Sequence, residues 1–131
     1  KNYCGRYYSK RTSALGSTLD TAGVPVEAKE FGFTQSHQIA INVSSFGPGK
    51  EIARRLAESN IICNYNMLPG DQDPRNPSGL RIGVQEMTRC GMGPEQMGEL
   101  AELMTAVIAK QKSVTNEVVQ LRSRFSEVRY C

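Results

Sequence analysis

Apolar and polar residues alternate over residues 37–43, with Ile39, Ile41 and Val43 on one side and Gln38, Ala40 and Asn42 on the other. A period of two over that length predicts a strand with one buried face. The period lengthens after Gly47-Pro48-Gly49, where residues 50–59 place Ile52, Ala53 and Leu56 on one side. That spacing predicts an amphipathic helix, with Glu51 set four residues before Arg55 to add an ion pair. Ile61-Ile62-Cys63 reads as a short buried strand, and Leu80, Ile82 and Val84 set against Arg81 and Gly83 read as another. Between them, residues 68–78 hold Pro69, Gly70, Asp71, Asp73, Pro74, Asn76 and Pro77, and three prolines leave no room for regular structure.

Helices are predicted at both ends. Residues 4–19 carry Tyr7, Tyr8, Leu15 and Leu19 at helical spacing, with Gly23 as a stop. Pro94 is preset for a first helical turn and Glu95 favours its positive end, followed by Met97, Leu100, Ala101, Met104, Val107 and Ile108. Ser113 is placed to cap a last helix with Val114, Val118, Leu121 and Phe125 on one stripe, ending among Arg122, Arg124 and Arg129. Helix, strand, helix, strand, strand, helix, helix is the order expected of an α+β two-layer sandwich, a small, mostly antiparallel sheet covered by helices.

The chain has 131 residues, which suits one domain and excludes a multidomain enzyme. A hydrophobic share of 39% with 12 glycines is ordinary for a packed fold and argues against disorder. Sixteen Lys and Arg against 13 Asp and Glu leave a net charge of +3, spread along the chain instead of forming a stripe, so nucleic acid is not an expected partner. The apolar stretch 101–109 contains Glu102 and Thr105 and is too short to span a bilayer, so no membrane partner is expected. Cys4, Cys63, Cys90 and Cys131 are too far apart for paired metal ligands or a redox pair, which predicts no metal site and reduced thiols in the cytoplasm.

No complete catalytic constellation stands out. His37 lacks an arranged nucleophile and reads as a structural histidine. Gly47-Pro48-Gly49-Lys50 has a proline where N–H donors would be wanted and reads as a plain helix start. Asp71 and Asp73 read as solvated turn carboxylates. Arg81 is different: it stands mid-strand between Gly79 and Gly83, neither with a side chain to block a ligand. Its planar fork suits a carboxylate, and a salt-bridged surface arginine is the equal alternative. Asn64 and Asn66, on either side of Tyr65, can cap turns or present amides to a heterocyclic ligand.

Asn64-Tyr65-Asn66-Met67-Leu68-Pro69, then Ser78-Gly79-Leu80-Arg81-Ile82-Gly83, then Met87-Thr88-Arg89-Cys90-Gly91-Met92 together resemble the C-terminal domain of serine hydroxymethyltransferase, in sequence and in spacing. The resemblance runs from about residue 3 to residue 108 and implies the small domain of a fold type I pyridoxal-phosphate enzyme, with residues 1–131 as that single domain. It implies serine and glycine interconversion, a one-carbon transferase reaction with tetrahydrofolate as cosubstrate. It further implies a large cofactor-holding domain as the missing partner and a homo-oligomeric parent. By motif, Arg81 is implied to bind the substrate α-carboxylate and Asn66 to contact the folate pterin. None of Lys1, Lys10, Lys29, Lys50, Lys110 and Lys112 stands in the family's cofactor-lysine context, so no catalytic residue is expected here and the isolated domain is expected to be inactive. Tyr65 replaces the lysine between the two asparagines, Val84 and Gln85 replace the usual threonine and proline, and Cys90 replaces an arginine. Threonine aldolase or transaldolase chemistry without folate, and a non-catalytic binding or regulatory remnant, are therefore the alternatives.

Overall fold

The computed structural model describes residues 3–129, with side chains from Arg6 onward. Lys1, Cys131 and the side chain of Cys4 lie outside the described residues. The elements run α1 (Tyr3–Thr21), a 3-10 turn (Lys29–Phe31), β1 (Gln38–Asn42), α2 (Gly49–Glu58), β2 (Asn64–Asn66), β3 (Gly79–Gly83), α3 (Gln85–Arg89), α4 (Pro94–Lys110) and α5 (Thr115–Ser123). The strands form one antiparallel sheet in the order β1-β3-β2. Helices cover one of its faces, giving the expected α+β two-layer sandwich.

The alternation in β1 and β3 sets the layers. Ile39, Ile41, Leu80 and Ile82 face the helices, and with Leu15, Leu19, Ile52, Leu56, Met97 and Met104 they form a single buried core. Ile39 lies opposite Ile82 and Ile41 opposite Leu80, so each apolar residue of β1 meets one of β3 across the sheet. The outer edge of β1 is partly covered by an isolated bridge between Val26 and Ile41. Helix α1 packs along α4, and α2 packs on α4 and the sheet. One buried cation helps seat α1: Arg11 donates through Nε to the Met92 carbonyl at 2.7 Å and lies 3.7 Å from the Tyr7 ring. No described helix is long and apolar enough to cross a membrane.

Two local expectations need correction. Ile61-Ile62-Cys63 is not a strand: Asn60 turns the chain through a left-handed φ of 64°, Ile61 drops into the core, and Ile62 is 80% exposed. The second strand is instead the polar triplet Asn64–Asn66, which needs backbone pairing with β3 and no apolar run of its own. Ser113 does not cap the last helix. It shares a hydroxyl contact with Thr115, while the Val114 amide is held by the Ser59 hydroxyl at 3.2 Å. The expected ion pair between Glu51 and Arg55 is present at 3.9 Å, although Glu51 pairs more closely with Arg54, at 2.6 Å. The short helix α3 has no counterpart in the sequence pattern, because five residues leave no room for a recurring apolar face.

Candidate functional site

Both faces of β3 are used, and differently. Leu80 is fully buried and Ile82 nearly so, while Arg81 between them is exposed on the face away from the helices. Its cross-strand neighbours are Ala40 on β1 and Asn64 on β2, and directly paired residues share a face. Asn66 pairs with Gly79, two residues before Arg81, and so stands on that face as well. Asn64, Asn66 and Arg81 therefore come together on one open surface. Tyr65 goes to the other side, where the Lys50 ammonium lies 5.4 Å from its ring centre.

The two glycines beside Arg81 do more than leave it clear. A Cβ on Gly79 would stand 2.5 Å from Leu68 Cγ and 2.9 Å from the Asn66 carbonyl oxygen, and one on Gly83 would run into the Gln85 side chain. Expecting them only to admit a ligand was incomplete, since each admits a neighbouring side chain. Leu68 and Gln85 close the two ends of a shelf, with Ala40 and Asn64 along its sides and the guanidinium in the middle. The Arg81 guanidinium has no hydrogen-bond or ion-pair partner among the described residues. Leu68 and Gln85 carried no signal in the apolar periodicity, because Leu68 lies in the loop before β3 and Gln85 opens the five-residue α3.

The loop before β3 is built around Asp71. Its carboxylate accepts from the Ser78 hydroxyl at 2.6 Å, the Ser78 amide at 2.9 Å and the Leu68 amide at 2.8 Å. The Ser78 hydroxyl and amide, then the Leu68 amide, hold this carboxyl below the ordinary aspartate range. Asp73 is lowered in the same way by the Arg75 amide and side chain. Neither is a raised carboxyl suited to general acid work, in keeping with their reading as turn residues, although Asp71 is a structural clamp and not merely solvated. Asp71 thus fastens the end of the β2 side to the start of β3, the two strands whose pairing puts Asn66 and Arg81 on one face.

The remaining candidates have structural roles. His37 packs edge-on against Tyr8, with ring centres 6.4 Å apart. The Gly49 amide is taken by the Pro77 carbonyl at 3.0 Å, leaving no free N–H cradle at the start of α2. Among the described residues there is no cluster of three metal-ligating side chains. Arg81 lines neither of two larger concavities, although the second reaches Ile82 and Gly83 of β3. One of about 720 Å³ is bordered by Arg6, Lys10 and Thr34, and an apolar one of about 780 Å³ opens between α3, α4 and α5 beside Met87, Leu100 and Val119.

The residues present suit one end of a substrate better than a whole reaction. An uncovered guanidinium beside amide groups can hold a carboxylate and fix its direction. No lysine occupies a sheet position on that face: Lys29 is bound to Asp20 at 2.6 Å, and Lys50 lies over Tyr65. A covalent anchor for pyridoxal phosphate is thus not provided by the shelf.

A two-layer domain of this shape, presenting an arginine on the open face of its sheet, has relatives of known structure and sequence. The profile of the serine hydroxymethyltransferase family matches residues 7–104. The serine hydroxymethyltransferase of Saccharolobus islandicus is 45% identical over 138 residues, which take in 98% of this chain and 32% of that protein. Those of Pyrobaculum islandicum and Archaeoglobus fulgidus are 42% and 43% identical, each over 96% of this chain and 31% of the relative. The L-threonine transaldolase of Pseudomonas fluorescens, solved in its internal aldimine state, superposes with a TM-score of 0.76 at 24% identity, covering 92% of this chain and 27% of that one. At that identity the superposition speaks for the fold. The chain belongs to the serine hydroxymethyltransferase family, and it spans about 31% of the length of the curated relatives it matches.

Proposed function

We propose that this chain is the C-terminal, substrate-closing domain of a pyridoxal-phosphate-dependent enzyme that interconverts serine and glycine with tetrahydrofolate as one-carbon carrier. Arg81 binds the α-carboxylate of the amino acid and Asn66 contacts the folate pterin. The observation that carries the reading is the unpartnered Arg81 fork on the open sheet face, within Ser78-Gly79-Leu80-Arg81-Ile82-Gly83. Pyridoxal phosphate supplies the electron sink for bond cleavage at Cα, and its lysine and phosphate site belong to a large partner domain beyond this chain. The contribution of residues 1–131 is grip and orientation. Two parallel charge-assisted hydrogen bonds from one planar group fix a carboxylate's rotation as well as its place, which a lysine's point charge does not. A homo-oligomeric parent in the cytoplasm completes the reading.

The test is Arg81→Lys in a full-length enzyme that carries this domain. Because the fork both holds and orients the substrate, kcat/KM for serine should fall by about 10² or more. Folate-independent cleavage of 3-hydroxy amino acids should fall in parallel, since it uses the same anchor. Asn66→Ala should weaken the folate-dependent reaction alone. Activities within about twofold of the parent, less than ~0.5 kcal/mol, would return Arg81 to the role of a surface arginine. Parallel loss at Arg81 with no folate effect at Asn66 would favour the aldolase-type alternative.

A further inference from the structure

We infer that Asn64 is a second anion-binding residue of the Arg81 shelf, its side-chain amide donating to the same carboxylate that the guanidinium grips. The inference rests on the carboxylate reading of Arg81 and adds to it a residue to which the family resemblance gave no role. Three observations lead there.

The register pairs Asn64 with Arg81 directly, so their Cβ atoms lie about 5 Å apart on the same face. Asn66, although cofacial, is diagonal to Arg81 and stands about 7–8 Å from it. Asn66 also spends its amide N–H on the adjacent Met67 carbonyl at 3.3 Å, and Asn42, at the other end of the face, has its oxygen taken by the Ser44 amide and hydroxyl. The side chain of Asn64 has no hydrogen-bond partner among the described residues, and neither has that of Arg81. The two adjacent polar groups are not bonded to each other either, although an amide oxygen is an acceptor for a guanidinium. The nearest donor to the fork is thus left open.

The chemistry of a carboxylate uses that opening. Its two oxygens offer about four acceptor directions, and a bidentate arginine fills two. On the β1 side the neighbour is Ala40, which has nothing to donate, so a further side-chain hydrogen bond from a cross-strand partner has to come from β2. An amide N–H from Asn64 fills a third direction without adding charge, whereas a second cation would bind the anion without fixing its orientation. The same position explains why a neutral residue stands there. An aspartate would pair with Arg81 internally and exclude the ligand.

The test titrates glycine into an isotope-labelled full-length enzyme that carries this domain, loaded with pyridoxal phosphate, with ethylamine as the carboxylate-free control, and follows the side-chain N–H signals of Arg81 and Asn64 by NMR. Both signals should move along one saturating curve with glycine and neither with ethylamine. Asn64→Ala should weaken glycine binding by about three- to tenfold, the range for one typical net hydrogen bond lost at an exposed site. Asn64→Asp should abolish saturable binding while leaving the backbone spectrum folded, and its new carboxyl should titrate lower than it does when Arg81 is also changed to Gln. Glycine that shifts Arg81 but not Asn64, with unaltered affinity in Asn64→Ala, overturns the inference and leaves the carboxylate role of Arg81 standing. Glycine that shifts neither signal overturns both.

Discussion

The two faces of β3 are made by consecutive residues under opposite constraints. Leu80 and Ile82 are held among α2, α4 and β1, where each neighbour restricts the next. Arg81 projects from the same backbone onto a shelf where it touches no protein acceptor. The inward positions determine whether the strand exists, and the outward one determines what the strand can hold. A residue on the first face is replaceable only by one of similar volume, while Arg81 on the second is replaceable for folding and, under the proposed function, irreplaceable for binding.

The largest expected effect comes from breaking that contrast at Leu80. Leu80→Ala leaves a cavity at the centre of the core and should cost about 2–5 kcal/mol in chemical denaturation. Arg81→Ala, one residue on, should change stability by no more than about 0.5 kcal/mol while removing glycine binding. If Arg81→Ala destabilised as much as Leu80→Ala, the outward face would be structural after all. Gly79→Ala sharpens the comparison at the rim, because the new methyl meets Leu68 Cγ and the Asn66 carbonyl oxygen. We expect about 1–3 kcal/mol of destabilisation and a changed β2 register visible in cross-strand amide contacts.

Asp71→Asn should alter the acid limb of stability. The folded carboxyl is held below its unfolded value of about 3.9, so the contribution is fully present above that value and lost as pH falls through the lowered folded one. Thermal midpoints measured between pH 5 and pH 2 should therefore decline less steeply in the variant than in the parent. The smallest effect belongs to Cys63, at the edge of the core, where burial pushes the thiol up to about 11. Alkylation at pH 8 should run about two orders of magnitude slower than for a free cysteine peptide and approach it only near pH 11. Labelling at the peptide rate would mean that the β2 edge opens freely.

The faces were legible because strand alternation is a two-residue pattern that survives in a short segment. Residues 37–43 and 80–84 declared both their layer and their orientation, and Arg81 stood out as the polar member of an apolar alternation. The antiparallel order with β3 in the centre was not legible, since register depends on which backbone edges meet. Asn64–Asn66 illustrates the limit: an edge strand with no apolar residue on its open face is held by its neighbour's hydrogen bonds, and Ile61-Ile62-Cys63 drew the strand assignment three residues too early. Arg81 and the Asn64 and Asn66 pair stand out in the sequence itself and the family resemblance supplies only the roles of Arg81 and Asn66, whereas their common face follows from strand pairing. Leu68 and the Asp71 clamp lie in a connecting segment and Gln85 opens a five-residue helix, where side chains are placed by tertiary contacts that leave no period in the sequence.

One consequence of the Asp71 clamp concerns where this polypeptide tolerates interruption. By fastening Leu68 and Ser78 to a single carboxylate, it closes the base of the loop independently of the tip, where Gln72, Asp73, Pro74, Arg75 and Asn76 are exposed and held only by local bonds around Asp73. A peptide tag or a pair of new chain ends placed after Arg75 would therefore hang from a locked collar, leaving Asn64, Asn66 and Arg81 in register, and the loop offers a point for circular permutation or reporter insertion that the shelf would not feel.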